Sequence, residues 1–217
     1  MKRTCLAAAV LLSATSCFAG TVYNNFNGYS DYWHPLGYPD TATYGETFTA
    51  PTNGDTNLTS FGFYLGSANL AGDIQLAGYV ATWTGSGAGT VLYSSPGVDY
   101  LNTGNAFLSF NTGGLNLAGG SSYVIFLSVS NYYGDSVGQA NVVPGDATIP
   151  GGFFAYYNNG GDFGALTNSS WEGIGLTPDW AVDLQFGAPT ATPEPASLIL
   201  LGAGLVGLGI RRRIFQS

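Results

Sequence analysis

The side chains able to carry acid–base, thiol or metal chemistry are few in this 217-residue chain: one histidine, two cysteines and thirteen carboxylates. His34 stands in Trp33-His34-Pro35, and no G-x-S-x-G turn occurs anywhere to present a nucleophilic serine to it. A Ser-His-Asp relay therefore has no visible partner set. A structural zinc site is closed by four Cys or His ligands, and a single histidine with Cys5 and Cys17 near the start cannot supply them. Glycoside hydrolysis needs two carboxyl groups a few ångströms apart across the scissile bond. Glu46, Glu172 and ten aspartates lie in the central stretch, but their spacing selects no pair. The simpler reading makes them turn residues that accept backbone N–H groups. No catalytic residue is assigned, and the expectation is a protein that is not an enzyme.

Binding chemistry has more candidates. The stretches Asn53-Gly54-Asp55-Thr56-Asn57 and Asn158-Asn159-Gly160-Gly161-Asp162 are rich in oxygen ligands suited to a hard cation, which makes Asp55 and Asp162 the calcium candidates. Neither follows the EF-hand spacing. Sugars are held by an aromatic ring against their apolar face, with amide, carboxylate or backbone groups on the hydroxyls. Tyr29, Tyr32, Trp33 and Tyr38 crowd a short segment with Asp31 and Asp40, and Tyr32, Trp33 and Tyr38 are the sugar-binding candidates. Phe153, Phe154, Tyr156 and Tyr157 form a second cluster. For both clusters the competing reading is packing within a core. Trp83 and Trp180 sit in alternating strand patterns and are expected in the core.

Charge narrows the possible partners. The five basic residues are Lys2, Arg3, Arg211, Arg212 and Arg213, so residues 20–192 contain none. That stretch carries twelve of the thirteen acidic residues and is 12 units negative with His34 neutral. Phosphate neutralisation needs Lys or Arg, so a nucleic-acid partner is excluded. The same deficit disfavours attachment to anionic lipid. A buried carboxylate in this stretch must find a hydrogen-bond donor or a metal, because no salt bridge can form.

The elements that must position these groups read as strands. Phe61, Phe63 and Leu65 alternate with Gly62 and Tyr64; Ile74 to Val80 continues at period two. Tyr123, Ile125, Leu127 and Val129 alternate with Val124, Phe126, Ser128 and Ser130, and Trp180, Val182, Leu184 and Phe186 with Ala181, Asp183 and Gln185. This is the strand period, with one face buried and one wetter. Gly/Asn turns such as Gly85-Ser86-Gly87 and Asn111-Thr112-Gly113-Gly114 separate the runs. Eight to ten strands at this spacing predict an all-β fold, an antiparallel β-sandwich of jelly-roll type, over residues 20–187. The order Gly45-Glu46-Thr47-Phe48-Thr49-Ala50, Leu58-Thr59-Ser60-Phe61 and Leu115 to Tyr123 resembles exported bacterial β-sandwich domains of galactose-binding-like type. That resemblance implies the sandwich and a sugar-binding role.

Both ends read as addresses. Lys2 and Arg3, the apolar run Cys5 to Leu12 and Ser13 to Ala19 form a secretory signal peptide over residues 1–19, which takes both cysteines with it. At the other end a Pro/Thr linker, residues 188–192, precedes Pro193-Glu194-Pro195, an apolar stretch from Ala196 to Ile210, and Arg211-Arg212-Arg213. Fifteen helical residues reach about 22 Å against about 30 Å of hydrocarbon, a deficit that snorkelling arginines and local thinning can absorb. The positive-inside rule places the arginines in the cytoplasm and residues 20–192 outside. Pro-Glu-Pro, an apolar span and an arginine stop resemble the PEP-CTERM sorting signal of Gram-negative bacteria over residues 193–213. The resemblance implies an exosortase partner, transient anchoring in the inner membrane, and delivery to the cell surface or extracellular matrix.

Together these features lead to an exported protein that associates with exopolysaccharide. A purely structural coat protein is the alternative, and a carboxylate-dependent hydrolase a more distant one. A reporter fused beyond Arg213 should read as cytosolic while residues 20–192 fractionate outside the inner membrane. Recovery of an intact, folded, unprocessed chain from the cytosol would overturn the reading.

Overall fold

A computed structural model describes residues 20–29, 35–67, 72–101, 104–135, 138–146, 148–176 and 179–188. Thirteen strands follow one another among the described residues: β1 (Val22–Asn24), β2 (Pro35–Leu36), β3 (Thr43–Thr49), β4 (Asn57–Ser67), β5 (Asp73–Trp83), β6 (Ala88–Ser94) and β7 (Val98–Leu101). Then come β8 (Ala106–Asn116), β9 (Ser122–Ser128), β10 (Ala140–Val142), β11 (Phe154–Tyr157), β12 (Glu172–Leu176) and β13 (Val182–Gly187). The sequence led to eight to ten. The surplus is in β1, β2 and β10, two or three residues each, too short for alternation to register.

The strands form two antiparallel sheets packed as a sandwich. In the first, β4 is central: β8 runs along one edge, while β13 and then β10 share the other and are extended by β1 and β2. In the second the order is β12-β11-β3-β9-β5, and β6 and β7 pair in turn along the far edge of β5. Leu58, Phe61, Phe63 and Leu65 of β4 and Val182, Leu184 and Phe186 of β13 meet Tyr44, Phe48, Ile74, Leu76, Val80, Tyr123, Ile125 and Leu127 of the second sheet. Leu58 and Phe61 are an odd number of residues apart, yet both face inward. A register shift between Leu58 and Ser60 supplies the extra residue. Trp180, fully buried, packs on Phe63 at 4.3 Å and donates its indole N–H to the Tyr64 carbonyl at 3.0 Å.

The second sheet departs from the one-wet-face expectation. Residues 158–171 fold back over its outer surface, through a short 3-10 turn at Phe163–Thr167. Leu166 and Trp171 from this segment cover Ala77, Tyr79, Ala81, Val124, Phe126 and Ala155. Phe126 and Val124 are therefore as buried as the inward residues beside them. Trp180 is in the main core as expected. Trp83 is not: it stands half-buried at the rim of this outer cluster, edge-on to Trp171 at 5.8 Å.

The sheets interlock at one glycine. Gly78 leaves a gap between the inward side chains of Leu76 and Val80, and the Phe110 ring from β8 occupies it; a Cβ there would stand 2.6 Å from that ring. Overfilling a close-packed core costs about 1–3 kcal/mol. Gly78→Val is therefore expected to lower unfolding free energy by about that amount in denaturant titrations, and a shortened ring in Phe110→Leu should recover part of it.

Candidate functional site

Among the described residues, the outer face of the first sheet is less covered than that of the second. Outward positions pair across strands in rows, because directly opposed residues share a face. Tyr64 opposes Phe107; Gly62 opposes both Ser109 and Asp183, which in turn opposes Asn24; Ser60 opposes Asn111 and Gln185. The first row is aromatic and the next two are polar, with a row-to-row step of about 7 Å along the strands.

Gly62 shapes the aromatic row. It lacks a side chain, so the Phe107 ring lies over its backbone; a Cβ on Gly62 would fall 2.3 Å from that ring. Tyr64 lies beside Phe107 at 4.6 Å, Phe26 stacks on Tyr64 at 3.7 Å with the planes 1° apart, and Tyr29 meets Phe26 edge-on at 4.9 Å. Phe107 is 45% exposed, among the most exposed large apolar side chains described. Next to it Asp183 accepts from the Asn24 amide at 2.6 Å and from the Gln185 amide. The exposed Phe107 ring, tilted 36° from Tyr64 and bordered by fixed amide and carboxylate oxygens, has the chemistry of a sugar-ring contact.

The sequence candidates are elsewhere. Tyr32 and Trp33 lie outside the described residues. Tyr38 is 41% exposed and edges against Tyr133 at 5.2 Å, whose hydroxyl donates to the Pro39 and Asp40 carbonyls. Phe154 is fully buried, and Phe153 and Tyr157 pack into the outer cluster of the second sheet, so this second aromatic group serves packing. Tyr64 and Phe107 were missed because their outward phase gives no function without knowledge of which strands are neighbours. Their signal was present in the sequence: Tyr64 falls in the alternate set to Phe61, Phe63 and Leu65.

Of the calcium candidates, Asp55 accepts from the Thr21 hydroxyl at 2.8 Å and the Asn53 amide at 3.3 Å. Asp162 caps the 3-10 turn, accepting from Ala165 N–H at 3.1 Å. No three histidine, cysteine or acidic side chains gather among the described residues.

A pair of carboxyls lies instead inside the sandwich. Glu46 points inward from β3 between Tyr44 and Phe48 and is fully buried; its Oε2 accepts from the Trp180 backbone N–H at 2.9 Å, and its Oε1 has no partner. Asp179, 5% exposed, leaves Oδ2 without a partner. Burial, and then the negative charge of Asp179, push the Glu46 carboxyl well above the usual range, against the pull of the Trp180 N–H. Burial also raises Asp179, with Thr148 hydrogen-bonding to it in opposition. Sealed in this way, Glu46 cannot reach a substrate.

A described sandwich followed by a sorting tail defines an exported protein that is handled at the membrane. Residues 191–213 match the PEP-CTERM protein-sorting motif, so the chain carries the signal that commits it to export and to processing by an exosortase. That stretch includes Pro193, Glu194, Pro195, Arg211, Arg212 and Arg213, all outside the described residues. No helix among the described residues is long and apolar enough to cross a membrane. Comparison with curated proteins and with solved structures gave no match.

Glu46 binds its proton more tightly folded than unfolded. Its contribution to stability is complete below the ordinary carboxylate range and is lost as pH rises toward the folded-state value. Besides Asp179, the Tyr44 phenol lies on the same strand, and burial pushes it up, so it stays neutral in this interval. In chelator-treated buffer the melting temperature should fall from pH 5 to pH 8, and Glu46→Gln should flatten that slope.

Proposed function

We propose that the β-sandwich binds exopolysaccharide without chemically changing it, and that it does so at the cell surface or in the extracellular matrix after a signal peptide and a transient inner-membrane anchor have been used in export. The observation that carries the reading is the Phe107 ring, exposed over Gly62 and flanked by Tyr64 on one side and the Asp183–Asn24 pair on the other. An exposed ring is costly to leave in water, and one held on a rigid sheet favours a flat, weakly polar ligand. A run of sugar rings along the strands would meet the aromatic row first and hydroxyl-binding groups next.

The non-catalytic part of the reading is supported by the position of the buried acidic pair described, Glu46 and Asp179, in the core where no glycosidic bond can enter. Export through the sorting motif is consistent with a polymer found outside the cell.

Phe107→Ala should weaken retention on immobilised exopolysaccharide from the producing cells about tenfold, equivalent to ~1.4 kcal/mol, with the melting temperature unchanged. Asp183→Asn should weaken it less. Equal retention of the wild-type and Phe107→Ala proteins, or none by either, would favour a coat protein that needs no ligand.

A further inference from the structure

The leader and the sorting tail are joined to the sandwich side by side. β1 runs antiparallel to β13, with Val22 opposite Gln185 and Asn24 opposite Asp183. One step further out, Phe186 N–H donates to the Thr21 carbonyl at 2.8 Å. Gly20 then lies so close to β13 that a Cβ on it would stand 1.8 Å from the Phe186 carbonyl oxygen and 3.3 Å from the Gly187 Cα. Thr21 is held as well: its hydroxyl donates to Asp55 at 2.8 Å and accepts from the Asn53 amide at 2.8 Å. Asn57 opposes both Gly187 and Asn116, which puts the turns at residues 51–56 and 117–121 at the same end. Hydrogen bonds from Ala50 N–H to the Ser121 carbonyl and from Leu117 N–H to the Thr56 carbonyl tie these turns together.

Charge is divided unevenly between this end and the opposite one. Asp55 is the only acidic residue in either turn, and Thr21 already donates to it. At the opposite end β3 and β9 pair at Thr43 and Ser128, and β5 runs on to pair with β7, bringing Asp73 and Asp99 there. Asp40 and Asp135 flank the same strand ends, and Asp162 joins them through Asn159, which bonds Thr43 and Ser130. Of the other described acids, Glu46 and Asp179 are in the core, Asp183 is within β13, Asp146 is bonded to Asn27, and Glu172 begins β12. Val22, 52% exposed, adds apolar area beside the acid-poor end.

We propose that the end where Gly20 and Gly187 meet is the face this protein turns to the inner-membrane bilayer while its tail holds it there. The inference rests on the reading above, that the leader is removed and the tail is embedded. The linker from Ala188 to Thr192 is five residues and reaches at most about 18 Å, so one end of the sandwich must stay near the lipid. Anionic headgroups repel carboxylates within about 8 Å at physiological ionic strength, which favours the acid-poor end as that face. Tyr64 is seven residues along β4 from Asn57, so the Phe107 row is displayed about 23 Å beyond the membrane-facing end. The orientation leaves the polysaccharide face open to the outside before the tail is processed.

The test uses the full chain exported by cells without an exosortase and purified with its tail. It is placed in vesicles of phosphatidylethanolamine and phosphatidylglycerol, part of the lipid carrying a nitroxide on its headgroup. Removal of the leader takes away Cys5 and Cys17, so a single introduced cysteine carries the fluorophore alone. Labels at Thr52→Cys and Ser121→Cys should lose fluorescence to the nitroxide, while labels at Ser67→Cys and Asp135→Cys should keep it. All four side chains are exposed, so the substitutions leave the core intact. Equal quenching at the two ends, or stronger quenching at Ser67 and Asp135, in protein that floats with the vesicles overturns the proposal and leaves the anchor reading standing. Protein that does not float with them overturns the anchor reading and the proposal together. So does a wild-type chain that takes up the fluorophore, because it has kept its leader.

Discussion

A globule with twelve carboxylates and no internal cation cannot be held together by ion pairs, and this constraint governs how its polar groups are arranged. An acidic side chain that is bonded within the fold must be served by neutral donors. Asp183 takes the amides of Asn24 and Gln185; Asp55 takes Thr21 and Asn53; Asp40 takes the Thr41 N–H; Asp162 takes the N–H of Ala165. The abundance of Asn and Thr in the turns follows from this need, since their short side chains reach neighbouring loops without bringing charge. Glu46 and Asp179 are the carboxylates for which the donors run out, and they lie where two sheets and a loop converge.

Cohesion falls to aromatic packing and ladder hydrogen bonds. Trp180 is the hinge of this arrangement: its ring fills the core beside Phe63, Tyr44 and Phe154, its indole N–H reaches β4, and its backbone N–H reaches Glu46 on the opposite sheet. Around that centre the two outer faces are treated differently. Trp171 and Leu166 roof the second sheet and leave it buried on both sides. Nothing described roofs Phe107 on the first sheet, so aromatic area of the kind buried elsewhere is left facing water. The proposed polysaccharide reading rests on this asymmetry.

The sequence revealed its strands through alternation and its tail through an ordered three-part signal. Phe61, Phe63, Leu65, Val182, Leu184 and Phe186 all face inward as their period required. Bulges were not legible, because an inserted residue looks like a broken period until its partner strand is known. Nor was the roof over β9 legible: Val124 and Phe126 are apolar in the sequence, but the segment that buries them lies some forty residues further on. The inward position of Glu46 was readable from Tyr44 and Phe48 on either side of it. Its neighbour Asp179 was not, because 133 positions separate them and only the sandwich brings them together.

Charge also constrains which polymer the open face would accept. The stretch that forms the sandwich is strongly acidic, so a uronic-acid or sulfated polymer approaching Phe107 meets like charge over the whole surface, screened only beyond about 8 Å at physiological ionic strength. Residues 20–192 hold no arginine or lysine to receive a sugar carboxylate. Neutral hexose polymers meet no such penalty, and the polar rows beside the rings carry amide donors as well as the Asp183 carboxylate for their hydroxyls. On the proposed reading, binding by this face would change little with salt, because it would rest on ring stacking and neutral hydrogen bonds rather than on charge neutralisation.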